Sequence, residues 1–295
     1  MVFPPFDPVP PRRRRFKAIP VRMLLPNLIT LLALCAGLTS IRMAIENRLD
    51  LALAAIAFAA LLDGIDGRIA RMLKGTSRFG AELDSLADFV NFGVAPALIL
   101  YFWGLHELKS AGWIVALVFA ICAALRLARF NVMIDDPNKP AWAGNFVTGI
   151  PAPAGAITVL LPIYLNFLGV SNGLITVWLT FFYTLAIALL MVSKLPVFSG
   201  KRVGKQVPPD MVLPVFVVVV LFFALLISYP WEVLTVGTLA YLGCLPVGWL
   251  SYREYQRKDE AAAAAAMATT ATEAPTEPSH VTAGESGPDR PARLN

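Results

Sequence analysis

The sequence predicts an all-α fold, a polytopic membrane bundle of about eight transmembrane helices. Hydrophobic residues make up 57% of the 295-residue chain and the mean hydropathy is +0.65, well above the range of a soluble domain. Eight apolar stretches are also long enough, or nearly so, to cross a bilayer, which requires about 20 residues of helix. The basic residues behind the net charge of +5 cluster near the ends of these stretches, so no nucleic-acid partner is expected.

The apolar stretches follow one another through most of the chain. The fifth and sixth are separated only by residues 169–173, so they count as two spans only if that connection forms a tight hairpin. The eight predicted spans are residues 24–44, 50–73, 81–104, 112–134, 149–169, 173–192, 211–229 and 232–251.

The basic residues around these spans predict the orientation of the bundle, because cytoplasmic connections carry an excess of Lys and Arg. Only Arg42, Arg48 and Lys109 flank the spans on one side. The other side receives residues 12–15, Lys17, Arg22, Arg68, Arg71, Lys74, Arg78, Arg126, Arg129, Lys139, Lys194, Lys201, Arg202, Lys205, Arg253, Arg257 and Lys258. We therefore expect both termini in the cytoplasm. As a separate expectation, we place the protein in the cytoplasmic (inner) membrane of a bacterium.

The same patterns divide the chain into three parts. Residues 1–22 form a basic cytoplasmic segment that anionic lipid would attract, and residues 23–252 form the transmembrane domain. Residues 259–295 are rich in Ala, Thr, Glu and Pro and lack large apolar side chains, so we expect a disordered cytoplasmic tail.

Four aspartates interrupt the second and third predicted spans: Asp63, Asp66, Asp84 and Asp88. A carboxylate in an apolar transmembrane helix is costly unless it is paired or binds a metal, and by default it marks a functional site. The spacings i,i+3 and i,i+4 place each pair on one face of its helix. A short basic connection, residues 74–79, would let the helices pack antiparallel and turn both pairs towards one cavity near the cytoplasmic leaflet. Divalent cations prefer oxygen ligands, so the sequence predicts a metal site between these helices.

The residues around the aspartates form a longer motif, D-x-x-D-G-x-x-A-R-x8-G-x-x-x-D-x-x-x-D. Every fixed position is filled, by Asp63, Asp66, Gly67, Ala70, Arg71, Gly80, Asp84 and Asp88. In this motif the chain resembles the CDP-alcohol phosphatidyltransferase family. The resemblance implies a helical membrane core, usually a homodimer, that transfers the phosphatidyl or a similar phosphoryl group of a CDP-linked lipid to an alcohol and releases CMP.

The resemblance also implies a role for each aspartate. Asp63, Asp66 and Asp84 would be ligands of a divalent metal pair, Mg²⁺ or Mn²⁺. Asp88 would be shared between metal contact and catalysis, as the general base on the acceptor hydroxyl. The chemistry agrees independently, because a diphosphate must be neutralised before an oxygen nucleophile approaches, and an alcohol near pH 7 needs a proton acceptor.

The small and basic residues of the motif are assigned to the CDP-linked lipid. By the resemblance, Gly67, Ala70 and Gly80 would line the nucleotide pocket. Arg71 would either contact the diphosphate or form an ion pair that orients one aspartate.

Stretches outside the motif resemble one branch of the family, the integral-membrane phosphatidylserine synthases. They are PNLIT (26–30), SLADFVNFGVAP (85–96), LRLARFN (125–131) and FVTGIPAPA (146–154), with Asn91 where much of the branch has serine. This likeness implies CDP-diacylglycerol and L-serine as substrates.

Arg126 and Arg129 are the residues we expect to bind the acceptor. They are i,i+3 at the cytoplasmic end of the fourth predicted span, and arginine binds carboxylates and phosphates through paired hydrogen bonds. One would hold the serine carboxylate and the other a lipid phosphate. The alternative is a topological role with a salt bridge to Asp135 or Asp136.

Two other functions are compatible with the aspartates. The same chemistry could use another acceptor, such as glycerol 3-phosphate, inositol phosphate or choline. A cation transporter would use the aspartates as a permeation site, but the acids cluster in the cytoplasmic half and no polar residues continue outward.

Overall fold

The structure, a computed structural model, describes residues 21–73, 77–134, 146–193, 195–198 and 209–248, together with Arg253 and Arg257. The helices described below belong to one unit, Met1–Leu250, and a second unit begins at Ser251. The predicted basic segment 1–22 lies almost entirely, and the predicted tail 259–295 entirely, outside the described residues.

Helices dominate the described part of the chain, as the all-α prediction requires. A π-helical turn, Val90–Val94, joins the third helix to the fourth, and a 3₁₀ turn, Leu105–Leu108, precedes the fifth. The helices are α1 (Val21–Ile45), α2 (Leu49–Met72), α3 (Arg78–Phe89), α4 (Ala95–Trp103), α5 (Ser110–Ile134), α6 (Ala152–Val159), α7 (Leu161–Phe167), α8 (Leu174–Val192), α9 (Pro209–Ser228) and α10 (Pro230–Gly248).

Six helical segments of the described chain have the length and hydropathy needed to cross a membrane, which makes this a multi-pass membrane protein. They are Leu24–Ile45, Arg78–Trp103, Ser110–Met133, Leu174–Val192, Met211–Ser228 and Pro230–Gly248. Each matches one of the eight predicted spans. Helix α2 coincides with a seventh and is as long as the others, but it carries Asp50, Asp63, Asp66, Arg68 and Arg71.

The fifth predicted span, residues 149–169, is shorter in the structure. The apolar helical segment is Ala152–Phe167, and it is divided at Leu160 into α6 and α7. Pro162 lies in the first turn of α7, where the missing N–H of proline is tolerated. Inside a continuous helix the same proline would remove a backbone hydrogen bond, so α6 ends before it. Two short strands were also not predicted: β1 (Phe146–Thr148) pairs antiparallel with β2 (Pro196–Phe198).

Helix α1 is the element that holds the first half of the bundle together. It packs along α2 and also contacts α3, α4 and the π-helical turn, while α5 packs against α8. Gly37 of α1 lies against the buried Asn91 in the π-helical turn, and a Cβ at position 37 would collide with the Asn91 side chain. This close approach brings α1 beside the segment that carries Asp84 and Asp88. Helix α9, by contrast, has no buried residue between Met211 and Ser228.

Candidate active site

The first three aspartates of the motif meet in space. Carboxylate oxygens of Asp63, Asp66 and Asp84 all lie within 4.8 Å of one another. Two oxygens bound to one Mg²⁺ are at most about 4.2 Å apart, so the cluster spans little more than one coordination sphere. The residues present therefore fit a divalent cation, although their role as ligands stays a prediction.

Asp88 adjoins this cluster one helical turn after Asp84. Its half-buried carboxyl group shares a hydrogen bond with the carboxyl group of Asp63 and is close enough to Arg126 to interact with its charge. Asp88 thus touches the carboxylate cluster on one side and meets a positive charge on another.

Thr30 of α1 orients one of the carboxylates. Its hydroxyl lies 2.7 Å from Oδ2 of Asp66 and 3.1 Å from the Pro26 carbonyl oxygen, and both Thr30 and Asp66 are buried. One hydroxyl proton serves one acceptor at a time, and the shorter contact to the carboxylate is the stronger one. Asp66 is therefore held in position by a neutral donor from another helix. The only sequence signal for this role was a hydroxyl residue in the PNLIT stretch.

A cavity of about 230 Å³ opens beside the carboxylates. It contains every motif position assigned to the CDP-linked lipid, and also three residues of α1 that were not assigned a role. The lining residues are Pro26, Asn27, Thr30, Asp66, Gly67, Ala70, Arg71, Ser77, Gly80, Ala81 and Asp84. The cavity has three walls, formed by α1, α2 and the start of α3.

The two motif glycines have different roles in this cavity. A Cβ at Gly67 would meet no atom within 4 Å, so Gly67 leaves space open. A Cβ at Gly80 would lie 2.7 Å from Oδ1 of Asn27 and 3.1 Å from Oγ of Ser77, so Gly80 leaves room for these two side chains.

The first turn of α3 gives the cavity a positive end. Ser77 caps the helix by accepting a hydrogen bond from the Gly80 amide at 2.9 Å, and the helix dipole favours an anion at this end. Arg71 also lines the cavity; its Nε donates to the Gly67 carbonyl at 2.9 Å. Within the described residues Arg71 makes no salt bridge to an aspartate, so the ion-pair alternative is not seen. The helix N-terminus and Arg71 together make this end of the cavity suitable for a diphosphate.

The two arginines predicted to bind the acceptor differ in their surroundings. Arg126 is buried, its guanidinium lies 5.3 Å from the Phe130 ring centroid, and its Nε has no hydrogen-bond partner in the described part of the chain. Arg129 is half-buried and its Nη1 donates to the Val192 carbonyl at 2.7 Å, at the end of α8. Arg129 thus satisfies a helix C-terminus, whereas Arg126 remains available to a ligand. Asp135 and Asp136 lie outside the described residues.

A carboxylate cluster beside an anion-compatible cavity, inside a multi-pass helical bundle, is the arrangement expected of a membrane-embedded enzyme that acts on a phosphate-containing substrate. The sequence profile of the CDP-alcohol phosphatidyltransferase family matches residues 23–191, and the profile described as CDP-alcohol phosphatidyltransferase 2 matches residues 210–246. The chain belongs to the CDP-alcohol phosphatidyltransferase family. Family membership makes it a transferase and decides against the cation-transporter alternative.

Similar curated proteins extend the match over most of the chain. A CDP-diacylglycerol–serine O-phosphatidyltransferase from Mycobacterium bovis is 41% identical over 78% of this chain and 79% of its own length. One from Helicobacter pylori is 34% identical over 77% of this chain and 91% of its own. An archaetidylserine synthase from Methanothermobacter thermautotrophicus is 32% identical over 61% of this chain and 71% of its own.

Proposed function

We propose that this protein transfers the phosphatidyl group of CDP-diacylglycerol to L-serine, in a metal-dependent reaction that yields phosphatidylserine and CMP. The observation that carries the proposal is the position of Asp88, next to the carboxylate cluster and within reach of the charge of Arg126. The names of the similar proteins from Mycobacterium bovis and Helicobacter pylori support serine as the acceptor.

The cavity holds the CDP part of the lipid in this proposal. Gly67 and Ala70 leave room for the nucleotide, while the first turn of α3 and Arg71 offer positive groups to the diphosphate. A divalent cation, Mg²⁺ or Mn²⁺, held by Asp63, Asp66 and Asp84 would neutralise the diphosphate oxygens. Thr30 keeps the carboxylate of Asp66 oriented towards this task.

The transfer step then requires one base and one leaving group. Asp88 accepts the proton of the serine hydroxyl, and the serine oxygen forms a bond to the phosphorus that bears the diacylglycerol. The bond from that phosphorus to the bridging oxygen breaks, and CMP leaves with the electron pair. Arg126 lies close enough to Asp88 to hold an anionic group of the acceptor while the hydroxyl faces the base.

The decisive experiment is the acceptor dependence of CMP release. Purified enzyme in detergent with CDP-diacylglycerol and Mg²⁺ or Mn²⁺ should release CMP with L-serine. It should not do so with glycerol 3-phosphate, inositol phosphate or choline, and EDTA should abolish the reaction. Release driven by glycerol 3-phosphate and not by L-serine would overturn the serine assignment while leaving the family chemistry intact.

The membrane arrangement belongs to the same proposal. We infer that both termini lie in the cytoplasm, because basic residues flank the spans mainly on that side. The family resemblance supports a homodimer, and the bacterial sources of similar proteins support a location in the bacterial cytoplasmic membrane. Tags at either end should be cleaved by protease in inside-out vesicles and protected in intact spheroplasts. Chemical crosslinking in the membrane should yield a dimer.

A further inference from the structure

Arg126 carries a buried positive charge whose hydrogen-bonding capacity is not used up. Arg126 is only 8% exposed, and its Nε has no hydrogen-bond partner among the described residues. A buried guanidinium without hydrogen-bond partners is costly, so such a group is usually satisfied by a ligand or by water. Asp88 compensates part of the charge from one direction.

A second group without a hydrogen-bond partner among the described residues approaches Arg126 from α10. Tyr241 of α10 packs against the hydrophobic core, and its hydroxyl oxygen is buried without a hydrogen-bond partner in the described chain. Tyr241 and Arg126 are close enough to interact electrostatically. The buried side of α10 is polar in the preceding turns too, because the hydroxyls of Thr235 and Thr238 are likewise buried and unpaired there.

The two groups are complementary to one chemical class of ligand. A guanidinium N–H and a phenolic O–H are both donors, and a carboxylate offers two oxygens that can accept from both at once. In a β-hydroxy amino acid the hydroxyl lies a few bonds from the carboxylate. An acceptor whose carboxylate binds Arg126 can therefore bring its hydroxyl to the neighbouring Asp88.

We propose that Tyr241 donates a hydrogen bond to the carboxylate of the acceptor amino acid, beside Arg126, so that α10 completes the acceptor site. This inference rests on the proposed function. It makes Tyr241 a specificity-determining residue, contributed by a helix far along the chain from the aspartate motif. The phosphate of the lipid substrate shares the anionic chemistry, and the experiment separates the two sources.

The test compares Tyr241→Phe with Tyr183→Phe in the purified enzyme, by the rate of CMP release. Tyr183 is a matched control, because its half-buried hydroxyl already donates to the Thr158 carbonyl at 2.7 Å. Tyr241→Phe should raise the KM for L-serine about tenfold, as expected for a lost hydrogen bond to a charged group. The KM for CDP-diacylglycerol should stay within about twofold, and Tyr183→Phe should change neither.

A second measurement identifies the anion that Tyr241 contacts. L-serinamide keeps the hydroxyl and replaces the carboxylate by a neutral amide, so the wild type should prefer L-serine strongly in kcat/KM. Tyr241→Phe should lower that preference about tenfold. If Tyr241→Phe kept the preference for L-serine and raised the KM for CDP-diacylglycerol, Tyr241 would contact the lipid phosphate and the inference would be overturned. Unchanged kinetics with both substrates would overturn it as well.

The two proposals fail in different ways. Wild-type enzyme that releases no CMP with L-serine would overturn the proposed function and the acceptor assignment with it. Serine-dependent wild-type enzyme in which Tyr241→Phe behaves like Tyr183→Phe would overturn only the role of Tyr241.

Discussion

The aspartate side and the arginine side of the site are built differently. On the aspartate side, α1, α2 and α3 bring together groups that already have partners: Thr30 donates to Asp66, and Asp63 shares a hydrogen bond with Asp88. On the arginine side, Arg126 of α5 and Tyr241 of α10 have buried polar atoms without hydrogen-bond partners among the described residues. The first side is thus organised by contacts within the protein, whereas in our proposal the acceptor completes the second.

Replacement of Asp88, the proposed base, tests the aspartate side of the site. Asp88→Asn should lower kcat at least about a thousandfold, because the acceptor proton then has no carboxylate to receive it. Binding of CDP-diacylglycerol, measured by equilibrium titration with Mg²⁺, should persist in this variant. Asp66→Asn should lose metal-dependent binding as well as turnover. Near-normal turnover in Asp88→Asn would remove Asp88 as the base.

Replacement of Arg126 tests the arginine side. Arg126→Ala should raise the KM for L-serine about thirtyfold or more, because a buried charged partner of the carboxylate is lost. The KM for CDP-diacylglycerol should rise much less.

Arg129→Ala is the matched control for this change. Arg129 donates to the Val192 carbonyl, so its removal should lower the thermal midpoint by leaving the end of α8 unsatisfied, at a cost of about 1–3 kcal/mol. Its serine KM should stay near the wild-type value. Equal effects of Arg126→Ala on both substrates would move Arg126 out of the acceptor site.

Thr30→Val tests whether α1 holds the aspartate side of the site in place. The variant keeps the shape of the side chain but removes the donor to Asp66, so the Mg²⁺ concentration for half-maximal activity should rise about tenfold. Thr39→Val is the control on the same helix, since the exposed Thr39 hydroxyl donates to the Cys35 carbonyl of α1 itself. A metal dependence that is identical in both variants would show that Thr30 does not orient the carboxylate.

The contrast also explains what the sequence could predict. The aspartate side is encoded within residues 63–88, where helical spacing alone places the acids on common faces, and the structure brings Asp63, Asp66 and Asp84 together as expected. Thr30 and Tyr241 come from helices distant in sequence, and a hydroxyl in an apolar helix is compatible with many roles. The different surroundings of Arg126 and Arg129 follow from the position of α8, which periodicity does not specify. The fifth predicted span is divided into α6 and α7 because Pro162 interrupts an otherwise continuous apolar stretch.

Alanine variants of the two motif glycines test whether each glycine provides space for substrate or allows close packing within the protein. Gly67→Ala should leave the fold at least as stable as the wild type, because nothing lies within 4 Å of the new Cβ and alanine favours helix. Gly67 lines the cavity, so the added methyl group should raise the KM for CDP-diacylglycerol about fivefold, the lower end of the cost of accommodating one extra methyl group. Gly80→Ala should lower the thermal midpoint instead, because its Cβ would lie 2.7 Å from Asn27 Oδ1 and 3.1 Å from Oγ of the capping Ser77, so these side chains must shift. Thermal unfolding and CDP-diacylglycerol kinetics on the two variants decide this. If both variants lost stability to the same extent, Gly67 would be a packing residue, and its role of leaving space for the nucleotide would be wrong.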